Sequence, residues 1–99
     1  MMPKFDAQIK AAELQRQLAM LTGHELAHVK PYGKHLLIQM HRGDSLDTIA
    51  RLTETTRNTY SSAFRSHTGR WEPLPGTGDI ATAAELVVTL LAPYFDSNN

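Results

Sequence analysis

Cysteine is absent from this 99-residue chain. That excludes a disulfide framework, a thiol nucleophile and any thiolate-held zinc or iron–sulfur centre. Net charge is absent as well, since ten basic residues balance ten acidic ones. A neutral chain has no general attraction for nucleic acid or anionic membrane, so such a contact needs a local patch. Neutrality also mildly favours self-association. No apolar run approaches the ~18 residues of a membrane span. The opening, Met1-Met2-Pro3-Lys4-Phe5-Asp6, leads into no apolar signal core. The expectation is a soluble, cytoplasmic protein without membrane contact. At this length there is one domain and one core, with little room for a deep cavity.

The clearest elements lie at the two ends of the chain. Residues 6–21 are rich in Ala, Leu and Gln and place Ile9, Ala12, Leu14, Leu18 and Leu21 near one helical stripe. Asp6 suits the N-cap, and Gly23 suits the residue past the end. Residues 79–92 predict a second helix with Ile80, Ala83, Ala84, Val87, Leu90, Leu91 and Tyr94 on its apolar face, capped by Asp79 and blocked by Pro93. Between them, residues 25–30 and 35–41 read as strands joined by the turn Pro31-Tyr32-Gly33-Lys34. Leu36, Ile38 and Met40 share one face of the second strand, and His35, Leu37, Gln39 and His41 share the other. Arg42-Gly43-Asp44-Ser45 is the next turn.

Residues 44–75 decide the fold class. Read as strands, residues 46–53 and 60–66 alternate, putting Leu46, Thr48, Ala50 and Leu52 opposite Asp47, Ile49, Arg51 and Thr53. Five threonines between Thr48 and Thr59 suit strands and suit helices poorly. His67-Thr68-Gly69 reads as a three-residue hairpin loop, which gives Arg70-Trp71-Glu72 the strand before it as partner. Pro73 and Pro75 place that last strand on a sheet edge. Read as helices, residues 48–65 resemble the helix-turn-helix of bacterial repressors. Ala50 stands at the small position and Tyr60 at the hydrophobic one, while Glu54 and Thr55 depart from the family pattern. That resemblance implies a DNA-binding regulator reading bases and phosphates through Arg57, Asn58 and Arg65. Gly43-Asp44-Ser45-Leu46 with Ile49-Ala50 resembles the opening of a LysM glycan-binding module. His67-Thr68-Gly69-Arg70-Trp71-Glu72-Pro73 is similar to a run in small uncharacterised bacterial proteins and implies no activity. The threonine-rich alternation favours strands. The expected fold is α+β: an antiparallel meander of four or five strands, with both helices packed on one face.

Catalytic and metal patterns are sparse. There is no G-x-S-x-G and no H-x-H pair, and His24-Glu25-Leu26-Ala27-His28, which has the letters of H-E-x-x-H, falls on a stretch read as strand rather than on the helix that pattern needs. His35 and His41 lie about 20 Å apart on a strand, and His24 and His28 about 13 Å, too far to share an ion. Neither cofactor nor metal is expected. Gly76-Thr77-Gly78 reads as a plain loop before the second helix rather than an anion-binding turn. An enzyme would have to gather His67, Glu72 and Asp79 in one pocket. Trp71 has two readings: an anchor beneath a helix or, beside Arg70, an interface residue.

Alternation itself yields the functional expectation. With Leu36, Ile38, Met40, Leu52, Tyr60 and Phe64 against the helices, the opposite face stays open. It would carry His35, Leu37, Gln39, His41, Ile49, Arg51, Ala63 and Arg65, to which Trp71 is added as a candidate. Leu37 and Ile49 would meet a partner, and Arg51 and Arg65 would pair with anions. The expectation is a non-catalytic module that binds another protein or a second copy of itself through this face. A helix-turn-helix regulator binding nucleic acid is the alternative.

Overall fold

The computed structural model describes residues 4–96. Of the tail at 96–99, which the sequence leads one to expect frayed, residues 97–99 lie outside the described residues. Helix α1 (Lys4–Thr22) is followed by five strands and helix α2 (Ile80–Leu90), with a short 3-10 turn, Ala92–Phe95, after it. The strands are β1 (Ala27–Tyr32), β2 (His35–Arg42), β3 (Ser45–Thr56), β4 (Thr59–Arg65) and β5 (Trp71–Gly78). They form one antiparallel sheet in sequence order, so the chain is an α+β meander.

Each turn is made by a residue that tolerates a left-handed backbone. Gly33, Gly43 and Gly69 have φ of 59°, 61° and 85°. At the β3–β4 turn the same job falls to Asn58, with φ 61°. Its short polar side chain makes this conformation affordable among non-glycine residues, and its N–H donates to Glu54 Oε2 at 3.0 Å. Thr48 to Arg65 is therefore a β-hairpin. The repressor-like reading of this stretch is corrected: it contains no helix to enter a DNA groove, because β-branched residues in alternation bury one face of a sheet.

One core joins both helices to one sheet face. Leu14 and Leu18 of α1 and Val87 of α2 pack with Val29, Leu36, Ile38, Met40, Leu52 and Tyr60. Burying side chains such as Leu14 and Leu18 stabilises the fold by about 2 kcal/mol each. The α1 stripe is rotated from the expected one: Ala11, Leu14 and Leu18 are buried, whereas Ile9 and Leu21 are 50% and 40% exposed. Asp79 caps α2, accepting from the Thr82 N–H at 2.9 Å. The expected loop at Gly76-Thr77-Gly78 is instead the end of β5, a strand that tolerates Pro73 and Pro75 because it is an edge. Among the described residues no helix is long and apolar enough to cross a membrane.

Candidate functional site: the open sheet face

The face turned away from the helices is built by register. One row across it runs Lys30, Leu37, Arg51, Ala63 and Pro73, each opposite the next on the neighbouring strand. The row toward one end is Tyr32, His35, Thr53, Ser61 and Thr77. Toward the other end His28 faces Gln39, Gln39 faces Thr48, and Arg65 faces Trp71. His41 and Leu46 pair beyond them.

A β-bulge sets what this face contains. Ile38 pairs with Ala50, but Gln39 pairs with Thr48, leaving Ile49 as an extra residue in β3. An extra residue reverses the alternation beyond it. Ile49 was expected on the open face; it is only 3% exposed and belongs to the core cluster. Leu46 and Thr48 make the opposite exchange. They stand with His41 and Gln39 on the open face, where Gln39 Nε2 donates to Thr48 Oγ1 at 3.0 Å. Leu37, Gln39, His41, Arg51, Ala63 and Arg65 are on the face where alternation put them. Lys30 was missed, although its alternation with Val29 was legible in β1.

Trp71 is not a core anchor. It is half-buried on the open face, with the Arg51 guanidinium carbon 4.4 Å from its ring centre and that of Arg65 at 6.0 Å. Arg70 was the expected companion, but it lies just before β5, and the two arginines over the ring come from β3 and β4. Arg51 Nε is buried and, among the described residues, has no hydrogen-bond partner. His35 Nδ1 lies 2.8 Å from Thr53 Oγ1. Burial holds the His35 imidazole below its usual pKa, and the positive charges of Arg51 and Lys34 push the same way.

The carboxylates are elsewhere. The strands contain three, Asp47, Glu54 and Glu72, and these sit opposite Met40, Tyr60 and Phe64 on the helix side. There Glu54 Oε2 accepts from Lys10 Nζ at 3.1 Å, and Asp47 pairs with Arg42 at 3.3 Å. Among the described residues no ion pair engages Lys30, Arg51 or Arg65. Among the described residues, a chain neutral in sum thus carries a sheet face with the cations Lys30, Arg51 and Arg65 and no strand carboxylate.

Two other places gather polar groups. His28 and His41 approach edge-on with ring centres 6.5 Å apart, but among the described residues no third ligand completes a metal set. His67 and Glu72 line a shallow concavity with Trp71 and Tyr94, while Asp79 is engaged at the α2 cap. A wide concavity of about 990 Å³ is an open groove between α1 and β1, walled in part by Ala11, Ala12, Ala19 and Val29. Its size does not make it the site: the charged groups that border it, Arg16, Glu25 and Lys30, are of both signs, and among the described residues none lies over an aromatic ring there as Arg51 does over Trp71. No family model, curated protein or solved structure matches the chain.

Proposed function

We propose that this chain is a non-catalytic binding module and that its open sheet face makes the contact. The observation that carries this reading is the stack of Arg51 on Trp71, beside Arg65, on a face without a carboxylate. Leaving three cations unpaired on one surface raises its potential, and an anionic partner relieves it. The aromatic ring and Leu37 supply the apolar contact that a charge pattern alone lacks.

The charge pattern also selects against a second copy as the partner on this face. A two-fold contact would set the patch against itself, with Arg51, Arg65 and Lys30 facing their own equivalents. Like charges facing one another across an interface are unfavourable. The sheet edges offer no substitute route. In β1 the Val29 N–H donates to Gln15 Oε1 at 2.9 Å and Pro31 has no N–H to offer. In β5, Pro73 and Pro75 interrupt the edge in the same way. A cytoplasmic location remains part of the proposal and rests on composition.

Titrating an isotope-labelled sample with short soluble polyanions at low salt tests the reading. Amide shifts at Leu37, Arg51 and Ala63 and movement of the Trp71 indole signal are expected. Shifts confined to α1, or none with any polyanion, would sink it.

A further inference from the structure

We infer that the anion taken by this face is a single-stranded nucleic acid, contacted through its phosphates by Lys30, Arg51 and Arg65 and through a base by the Trp71–Arg51 stack. This rests on the binding role proposed above and narrows its partner. A single strand offers both things the face offers to meet: regularly spaced negative charge and exposed π-faces. Bases unstacked from a duplex pack on aromatic rings and on guanidinium planes, and here one of each stands together, the Arg51 guanidinium carbon 4.4 Å from the Trp71 ring centre. Lys30 and Arg51 stand two strands apart in one row, about 10 Å across the sheet, so a backbone crossing the strands meets successive cations. Around them Gln39, Thr48 and Ser61 present amide and hydroxyl groups of the kind that hydrogen-bond base edges.

The rival anions fit less well. A duplex is read by a helix or a two-stranded ribbon lying in the major groove, and a five-stranded sheet is too broad to enter it. An acidic peptide can meet an arginine pair through its carboxylates, but it brings no regular series of π-faces for Trp71, and its other route, strand addition at an edge, is obstructed by Gln15, Pro31, Pro73 and Pro75.

Trp71 is the one tryptophan of the chain, so its emission reports directly on the stack. The full chain is titrated with a twelve-nucleotide oligothymidylate or oligouridylate, and separately with the same length of duplex, with polyglutamate and with heparin. The single strands should quench Trp71 and bind most tightly. Three phosphate contacts at about 0.7 each give a slope of about −2 for log affinity against log salt. R51Q/R65Q should flatten that slope by about 1.4. W71A should weaken binding by about 5- to 150-fold, as expected for losing one stacked base, with W71F recovering most of it. R51Q/R65Q leaves the core untouched, so its result stands even if W71A does not fold. Polyglutamate, heparin or duplex binding as tightly as the single strands would overturn the nucleic-acid assignment and leave the anion-binding face intact. No binding by any polyanion, or R51Q/R65Q binding like wild type, would overturn both.

Discussion

At the scale of the residue, Trp71 and Arg51 show how one contact changes the meaning of a side chain. A lone tryptophan in a small domain is ordinarily core. Here cross-strand pairing with Arg65 puts it on the far side of the sheet, and Arg51 lies over it. His35 supplies an internal gauge of this environment. Its pKa is held down by burial and then by the Arg51 and Lys34 charges. For a histidine depressed in the folded state, protonation favours the unfolded chain as pH falls through the normal imidazole range. An anion on Arg51 cancels part of that repulsion and raises the His35 pKa. Reciprocity then requires binding to tighten as pH falls. Imidazole carbon-bound proton shifts, followed from pH 8 to pH 4.5 with and without the bound polyanion, should show the His35 midpoint moving up. A midpoint that stays put or moves down contradicts an anion beside Arg51.

At the scale of the element, β3 carries the argument. Its bulge gives Ile49 to the core and puts Leu46 and Thr48 on the open face. Ile49→Ala should therefore cost about 2–5 kcal/mol, the range for truncating a fully buried side chain. Leu37→Ala, on the open face two residues from Gln39, should cost well under half as much while disturbing polyanion binding. Urea unfolding of the two variants separates the cases, and equal losses would mean the bulge is misplaced. The turn beyond β3 was hidden for a related reason. Asn58 adopts φ 61° without any glycine to advertise it, and its N–H is held by Glu54. That N–H, foremost, and the Lys10 ammonium keep the Glu54 carboxyl below the usual range against the opposing effect of burial.

At the scale of the whole molecule, the decisive feature is the separation of charge between the two sides of one sheet. On the helix side two of the three strand carboxylates, Glu54 and Asp47, contact Lys10 and Arg42, and the open side keeps its cations. Formal neutrality conceals this, because a sum has no direction. The edges are closed by different means, a helix side chain at β1 and prolines at β5. Sedimentation should show a monomer in low salt for the native chain. Replacing Gln15 by Ala and Pro31 by Val together should release the β1 edge and produce concentration-dependent association. A double variant as monodisperse as the native chain would show that those two residues do not guard the edge.

Period-two alternation, threonine content and the placement of glycine and proline were enough to determine an α+β meander with a helix at each end. These are local signals, written by the same backbone geometry that forms strands and turns. Alternation also put Leu37, Gln39, His41, Arg51 and Arg65 on one face correctly. Ile49 escaped because a single inserted residue inverts every assignment beyond it, and nothing in its identity marks the insertion. The closeness of Trp71 to Arg51 escaped because the two are joined only through β4, twenty residues apart in sequence and neighbours in space. Only tertiary structure could decide which charges share a surface, since that depends on register across five strands and on the side the helices cover.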